Sequence, residues 1–275
     1  MKKKYLIFGS NGFLANELKN KLKDKIKNFY FISSKDIDLT NLTSSKKLLK
    51  FKSTYNIIFF SAITPDKGND DNAFIKNILM IKNFFKFFDV KKINHFIYIS
   101  SDAVYNLNDK IINENTSPQP NDLYGLMHLT REKIISSKIL NANLLIFRLT
   151  MVYGKGDTHN SYGPNRFLKE LKKDKKITLF GKGLDERDFI FVDDVIKIII
   201  KSLNTKFYGI YNIASGFSYS FYQIAKLIFR VNLYKENIFY IKNNNSITKR
   251  KFNINKLVKD FDFKAKTLKN GLKNY

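Results

Sequence analysis

The sequence contains no cysteine and no tryptophan, and its three histidines lie far apart. Without cysteine, both a disulfide scaffold and a thiolate zinc site are excluded. Three separated histidines also argue against a multi-histidine metal centre, so we predict no bound metal. We assign no role to His95, which begins a predicted strand, or to His159, which lies in a loop.

Long apolar runs are also missing. The basic start after Met1 is followed by an apolar run that ends after four residues at Gly9, which is too short for the core of a signal peptide. The phenylalanine-rich stretch at 74–88 is interrupted by lysine and asparagine, unlike a membrane span. We therefore expect a cytoplasmic protein that does not cross a membrane.

Acidic residues are few compared with basic ones, and the formal net charge is +25. Such a charge first suggests a nucleic-acid partner. Lysine outnumbers arginine by 43 to 6, however, and the lysines are scattered along the whole chain. A basic stripe flanked by aromatic residues is also missing. We predict no nucleic-acid binding, although the positive field would still attract a phosphorylated substrate.

Strand-length apolar runs alternate with helix-length amphipathic segments through the first 150 residues, which is typical of a parallel α/β sheet. The predicted strands are 5–8, 29–33, 56–60, 95–100 and 144–149, with helices near 12–26, 43–52, 71–88 and 122–140. Further on, the pattern predicts a helix near 165–173, a strand at 177–180, a helix at about 193–203 and a mixed tail. We predict a Rossmann-type doubly wound sheet over residues 1–155. Residues 156–275 mainly form a small substrate-binding cap interwoven with the sheet.

A glycine loop follows the first strand and opens the first helix, the context expected of a dinucleotide fingerprint. Gly9 permits the tight turn, Gly12 lets the backbone approach a diphosphate, and Ala15 allows close helix packing. The other predicted cofactor-binding residues of this loop are Asn11, Phe13 and Leu14.

The second strand ends in Ser33, Ser34 and Lys35, where a site that prefers NAD places an acidic residue for the adenosine ribose. Two hydroxyls and an ammonium group suit a 2′-phosphate. We therefore predict that NADP(H) is favoured over NAD(H), although Asp36 follows directly.

Ser101-Asp102-Ala103-Val104-Tyr105 ends the fourth strand, and Tyr124-Gly125-Leu126-Met127-His128 begins a helix. With these motifs the chain resembles the extended short-chain dehydrogenase/reductase family of sugar-nucleotide epimerases, dehydratases and reductases. The resemblance spans nearly the whole chain. It includes Asp38-Leu39-Thr40, Ser61-Ala62, Asn77, Arg148, Thr150-Met151-Val152-Tyr153-Gly154, and the segment from Arg187 to Val195.

The resemblance implies a role for each motif residue. Ser101 hydrogen-bonds the substrate oxygen, and Tyr124 is the general acid/base that moves a proton while hydride moves between a sugar carbon and the nicotinamide. Asp102 is a possible proton shuttle, or a turn residue. Asp38, Leu39, Ser61, Ala62 and Asn77 join the cofactor site.

Position 128 is the main departure from the family, which has a lysine there to acidify the tyrosine and hold the nicotinamide ribose. Neutral imidazole can bond the ribose but carries little charge. Arg131 lies two helical turns from Tyr124, and we do not expect it to substitute. Either the cofactor ring supplies the acidifying field, or a neutral Tyr124 acts as proton donor in a reductase, or the protein binds its ligands without turnover.

The resemblance also indicates the substrate. Arg187 would clamp the diphosphate with its guanidinium, and Arg250, Asn165 and Thr150 are further substrate-binding candidates. The 4,6-dehydratases have a glutamate where this chain has Ala103, which disfavours dehydration. We therefore predict an enzyme that reduces a nucleoside-diphospho-4-keto-sugar in surface polysaccharide biosynthesis, with a 4-epimerase or a catalytically degenerate binding protein as alternatives. By resemblance, the phenylalanine-rich helix would form a homodimer contact.

Overall fold

The helices and strands follow the predicted alternation. The computed structural model describes residues 3–140, 143–157, 162–205 and 207–275, and His159 lies outside the described residues. The strands are β1 Tyr5–Phe8, β2 Phe29–Ile32, β3 Tyr55–Phe59, β4 Ile93–Ser101, β5 Ile111–Ile112, β6 Leu144–Leu149, β7 Met151–Tyr153, β8 Ile177–Phe180, β9 Glu186–Phe191, β10 Gly209–Ile213, β11 Ser218–Ser220, β12 Ile238–Ile241 and β13 Lys251–Phe252.

The helices are α1 Phe13–Leu22, α2 Leu42–Ser45, α3 Asp71–Phe87, α4 Leu123–Ser136, α5 Pro164–Asp174, α6 Val192–Asn204, α7 Phe221–Val231, α8 Asn255–Phe261 and α9 Leu268–Lys273. Short 3₁₀ segments cover Lys23–Asn28, Lys46–Lys50, Val90–Lys92 and Asp102–Val104. None of the helices in the described ranges is long and apolar enough to cross a membrane.

The chain divides into two compact units. The first contains Met1–Tyr105, Ser117–Leu149 and Ile196–Tyr211, and the second contains Asn106–Thr116, Thr150–Val195 and Asn212–Tyr275. Each unit therefore combines separate stretches of sequence. It stays a prediction that residues 1–155 bind the dinucleotide and that residues 156–275 mainly bind the substrate.

The first unit contains a six-stranded sheet in the order β10-β6-β4-β3-β1-β2. β1 pairs in parallel with β2 and β3, β3 with β4, and β4 with β6. The strand order reverses at β1, and in doubly wound sheets ligands bind beside the carboxyl ends of the strands at this switch point. The predicted Rossmann-type sheet is therefore confirmed.

Phenylalanine fills the core of this unit. β1, β3 and β6 are buried at every residue, as strands covered on both faces must be. From α3, the Phe84 ring lies 5.3 Å from that of Phe8, 5.6 Å from Phe59 and 5.7 Å from Phe96, each edge to face. This cluster fixes α3 on the sheet and, with it, the loop after β3.

The second unit consists of small sheets and helices. β9 pairs antiparallel with β11 and parallel with β7, while β8 pairs with β12 and β5 with β13, both in parallel. The sequence predicted β8 here but not the other strands of this region. β9 carries the segment predicted to bind the substrate diphosphate.

Candidate active site

Gly9 and Gly12 shape the loop between β1 and α1. Gly9 has a φ of +84°, and a Cβ there would lie 2.7 Å from the backbone nitrogen of Ser61, so the position requires glycine. Gly12 is the N-cap of α1, and no side chain caps this helix. The first turn therefore presents backbone donors of the kind that bind a diphosphate. The remaining predicted loop residues are Asn11, which is exposed, Phe13, which is buried, and Leu14, which is half-buried.

Asp36 folds back onto the end of β2. Its carboxylate accepts hydrogen bonds from the Ser33 hydroxyl at 2.7 Å and the Ser33 amide at 2.9 Å. These bonds lower the pKa of Asp36. Of the three residues predicted to meet a 2′-phosphate, Ser33 is thus bonded within its own loop, whereas Ser34 and Lys35 are exposed.

Asp38 also organises its own loop. Its Oδ1 accepts hydrogen bonds from the Thr40 amide at 2.9 Å and the Thr40 hydroxyl at 2.7 Å. The neighbouring Leu39 is buried, and its carbonyl accepts a hydrogen bond from Asn83 of α3. These contacts tie the loop after β2 to the helix after β3.

Asn77 holds the segment that follows β3. Its Oδ1 accepts from the Ile63 amide at 2.9 Å, and its Nδ2 donates to the carbonyls of Ile63 and Ala73 at 3.0 Å. Ser61 and Ala62, directly before Ile63, remain half-buried. Asn77 therefore positions the two residues that the resemblance places at the cofactor.

Ser101 and Tyr124 are brought together by close packing of α4 against the end of β4. The Ser101 Oγ accepts from the Ala103 amide at 3.1 Å and shares a hydrogen bond with Tyr124. A Cβ at Gly125 would lie 2.1 Å from the Ala103 carbonyl oxygen, so glycine lets the helix approach. Asp122 caps α4 through the Gly125 amide at 2.7 Å. The structure thus brings Ser101 and Tyr124 together.

The surroundings of Tyr124 keep its phenol protonated. Burial and then the Asp102 and Asp122 carboxylates raise its pKa, while Arg131 and the hydrogen bond with Ser101 lower it, and the net effect is a pKa well above the ordinary value near 10. Tyr124 is consequently a neutral phenol at neutral pH.

His128 is buried behind Tyr124 and bonded to Tyr98 of β4. The Tyr98 hydroxyl lies 2.7 Å from His128 Nδ1, and the Tyr124 and His128 rings meet edge to face at 4.7 Å. Burial, and then the charge of Arg131, hold the pKa of His128 well below its usual range, so the imidazole is neutral.

The tautomer of His128 follows from its hydrogen bond with Tyr98. Tyr98 is itself buried and has no other hydrogen-bond partner among the described residues, so its hydroxyl donates to Nδ1. The ring proton then lies on Nε2, which is buried without a partner in the described parts of the chain.

Arg131 is completely buried. Its Nη2 donates to the Ser61 carbonyl at 2.7 Å, and its guanidinium carbon lies 5.1 Å from the centre of the Phe59 ring and 5.3 Å from that of Tyr98. No carboxylate of the described residues forms an ion pair with it. The spacing along the helix gave no reason to expect Arg131 to replace the motif lysine, but its side chain contacts Tyr98, the residue that bonds His128.

Glu132 and Arg148 form a separate buried pair. The Glu132 carboxylate accepts from Arg148 Nη2 at 2.6 Å and Nε at 3.0 Å, and from the Ser100 hydroxyl at 2.6 Å. Arg148 Nη1 also donates to the Tyr105 hydroxyl at 2.9 Å. Arg148 therefore links α4 to the sheet.

In the second unit, the segments that carry Arg187 and Arg250 lie side by side. Arg187 Nη1 donates to the Glu186 carbonyl at 2.8 Å, and the Arg250 amide donates to that same oxygen at 3.3 Å. Arg187 Nη2 also donates to the Thr248 hydroxyl at 2.7 Å. The backbone segments that carry the two predicted phosphate ligands are thus neighbours.

Thr150 and Asn165 are bonded within the second unit. The Thr150 hydroxyl lies 3.1 Å from Asp188 Oδ1 and 3.2 Å from the Ile213 carbonyl. Asn165 accepts from the Gly154 amide at 3.1 Å and donates to the Asp157 carboxylate. Both predicted substrate-binding side chains are therefore also structural.

The sequence missed the pairing of β4 with α4. Alternate residues of the strand, Tyr98 and Ser100, contact residues one turn apart on the helix, His128 and Glu132. Residues two apart on a strand lie on one face of the sheet, and residues four apart lie on one face of a helix. Matching these two spacings between β4 and α4 could have identified Tyr98 as the partner of His128.

The sequence and the fold were compared with those of known proteins. Residues 5–214 match the model of the NAD dependent epimerase/dehydratase family. The chain belongs to this family, whose characterised relatives modify sugar nucleotides.

Three relatives illustrate the similarity. GDP-6-deoxy-D-talose 4-dehydrogenase of Aggregatibacter actinomycetemcomitans is 26% identical over 243 residues, which are 86% of this chain and 82% of that protein. The solved dTDP-4-dehydrorhamnose reductase of Bacillus anthracis str. Ames, in complex with NADP, has a TM-score of 0.83 at 21% identity and covers 100% of this chain and 99% of that one. The dTDP-glucose 4,6-dehydratase of the same organism, in complex with NAD, has a TM-score of 0.79 at 17% identity, with 99% and 95% covered.

Proposed function

We propose that the protein is an NAD(P)-dependent enzyme that reduces a nucleoside-diphospho-4-keto-sugar, with Tyr124 as proton donor and Ser101 as the residue that binds the keto oxygen. The observation that carries this proposal is the hydrogen bond of Ser101 with Tyr124, whose ring contacts that of His128. The neighbour of Tyr124 at the motif-lysine position, His128, is neutral, and burial raises the tyrosine pKa. A neutral phenol is suited to donate a proton, which reduction requires.

The proton balance of the reaction follows from this arrangement. A reduced nicotinamide, when bound, would supply the hydride to the keto carbon. The Tyr124 O–H bond breaks, its proton joins the keto oxygen, and a phenolate remains. Ser101, bonded to Tyr124, lies where it can orient the same oxygen.

The residues of the first unit fit a dinucleotide. The uncapped start of α1 and the glycine at position 9 suit a diphosphate, and the unpartnered His128 Nε2–H suits a ribose hydroxyl. For the 2′-phosphate we propose Ser34 and Lys35, since Asp36 is already bonded to Ser33. NADP(H) is accordingly our preferred cofactor over NAD(H).

The second unit supplies the features expected for the sugar nucleotide. Arg187 and Arg250 on neighbouring segments support a diphosphate clamp, with Thr150 and Asn165 as further candidates. The relative from Aggregatibacter actinomycetemcomitans is named a 4-dehydrogenase of a GDP-6-deoxy sugar. The reverse of dehydrogenation at carbon 4 is reduction of a 4-keto group.

Two further elements of the proposal concern context. We propose a homodimer through α3 and α4, where Ile75 and Leu126 are exposed apolar side chains, and a role in surface polysaccharide biosynthesis. Light scattering during size-exclusion chromatography tests the first element, and a monomer with unchanged elution for Ile75→Glu would contradict it.

The reaction is tested by incubating the protein with a panel of nucleoside-diphospho-4-keto-sugars and NADPH or NADH, and following the absorbance of the reduced nicotinamide. We expect consumption with at least one keto-sugar, lower KM for NADPH, and loss of turnover in Tyr124→Phe. Lys35→Ala should raise the KM for NADPH more than that for NADH.

Each contrary outcome identifies a different error. Conversion of a 4-hydroxy sugar without net cofactor consumption, with no keto-sugar reduced, would indicate a 4-epimerase. Binding of nucleotide without turnover, with activity appearing in His128→Lys, would indicate a degenerate binding protein.

A further inference from the structure

Arg131 is a buried cation that has no ion-pair partner among the residues that the structure describes. It is completely buried, and the adjacent carboxylate, Glu132, is bonded to Arg148 and Ser100 instead. Placing an ion in a protein interior is costly unless it is paired. Stability alone would favour an apolar side chain here, so the charge calls for a functional reason.

The side chain of Arg131 runs back along α4 towards Tyr124. Its Nη1 lies 3.7 Å from Met127 Sδ, one turn nearer the start of the helix, as expected from the tilt of helical side chains. The backbone positions of Arg131 and Tyr124 are seven residues apart, which corresponds to a rise of about 10 Å along the helix. The backward course of the side chain removes roughly one turn of this separation.

Two carboxylates and one cation, Arg131, act on the phenol of Tyr124. Asp102 and Asp122 face the tyrosine from the end of β4 and the start of α4 and disfavour the phenolate. His128, in ring contact with Tyr124, is neutral. Among the described residues that act most strongly on Tyr124, the cation is Arg131, whose charge favours the phenolate and also acts on Tyr98.

We propose that Arg131 is a positioning residue that supplies, from inside the protein, the fixed positive charge that stabilises the phenolate of Tyr124, while His128 retains only the hydrogen-bonding part of the motif-lysine role. The proposal deepens the proposed function and rests on Tyr124 as its proton donor. During reduction the electron pair of the broken O–H bond stays on the Tyr124 oxygen. Arg131 lowers the energy of this product state without touching substrate.

The test uses full-length protein with a fluorinated tyrosine at position 124, whose phenol ionises at a lower pH than tyrosine. Fluorine NMR then reports its ionisation with no substrate present. Arg131→Met removes the charge at similar volume, and Arg131→Lys keeps it. Arg230→Met, at an exposed arginine of α7, is the control for the same change in net charge.

We expect Arg131→Met to raise the ionisation pH of the residue at 124 by about one unit, the lower end for loss of a nearby opposite charge. Arg131→Lys should reverse most of this shift, and Arg230→Met should cause none. Arg131→Met should also unfold at the same or a higher urea concentration, because it removes an uncompensated buried ion. In the oxidation direction, which needs the phenolate, kcat/KM at neutral pH should fall about tenfold.

An unchanged ionisation pH in Arg131→Met, or a shift that Arg131→Lys does not reduce, would overturn the proposal. If Arg131→Met does not fold, Arg131→Gln keeps a donor for the Ser61 carbonyl and carries the same test. Absence of turnover on every keto-sugar would contradict the proposed function alone, since the NMR measurement needs no reaction.

Discussion

Replacing His128 with lysine restores the family motif, yet the structure predicts that this change destabilises the protein. His128 is buried, neutral and bonded to Tyr98 at 2.7 Å. A lysine there would lose this bond, which contributes about 1 kcal/mol. It would also place a second buried cation one helical turn from Arg131.

The magnitude follows from the helix spacing. Side chains three residues apart on a helix are about 6 Å apart. Two like charges at about 6 Å repel by about 3 kcal/mol at an effective dielectric constant near 20. We therefore expect His128→Lys to lower the free energy of unfolding by about 4 kcal/mol. The double variant with Arg131→Met should recover about 3 kcal/mol of this loss.

The assay is a double-mutant cycle. Urea unfolding of the native protein, His128→Lys, Arg131→Met and the double variant is followed by circular dichroism, since the chain has no tryptophan. A parallel cycle with Arg230→Met should be additive. A coupling energy below about 0.5 kcal/mol between positions 128 and 131 would refute the electrostatic argument.

Three further changes test other parts of the structure. Gly125→Ala puts a methyl group 2.1 Å from a backbone carbonyl oxygen, so we expect the free energy of unfolding in urea to fall by about 1–3 kcal/mol. Displacement of Tyr124, the proposed proton donor, should also lower kcat about 100-fold; native kcat would contradict this. Glu132→Gln leaves the Arg148 cation buried without its carboxylate, so the free energy of unfolding should fall by about 3–5 kcal/mol. The control Glu170→Gln breaks a partly exposed ion pair and should lower the free energy of unfolding by at most about 1 kcal/mol. Equal losses in the two variants would contradict the argument for the buried pair. Burial raises the pKa of Asp188 from 3.8 to about 6, so between these pH values the folded protein holds a proton that the unfolded chain has lost. The free energy of unfolding should therefore fall by about 3 kcal/mol as the pH rises from about 4 to about 6. Asp188→Asn should lack this decline, and parallel pH curves for the two proteins would contradict the raised pKa.

The strands of the first unit could be predicted closely because parallel strands buried on both faces are short apolar runs. β1 and β6 have the predicted bounds, and α3 differs by one residue. β10 was not predicted. Its place at the sheet edge beside β6 depends on a contact between distant parts of the sequence, which local patterns do not contain.

The site could be predicted where a motif joins residue type to position. The Ser101 and Tyr124 contact follows from a strand end and a helix start that the sequence identifies. Spacing along a helix gives the separation of two backbone positions, whereas the direction of a side chain decides which groups its charge reaches, so the contacts of Arg131 could not be read from the sequence. The bond between Tyr98 and His128 depends on how strand and helix face each other.

The buried cations of the described residues are arginines and not lysines, which bears on the histidine at position 128. No lysine is among the buried residues that the structure describes, but three of the six arginines are, namely Arg131, Arg148 and Arg250. Each guanidinium lies over an aromatic ring, at 5.1, 4.9 and 5.6 Å respectively. A guanidinium is less strongly hydrated than an ammonium group and stacks on such rings, so burying it costs less. In this phenylalanine-rich core, a positive charge acting on Tyr124 is therefore more stable as an arginine between Phe59 and Tyr98 than as a lysine at position 128.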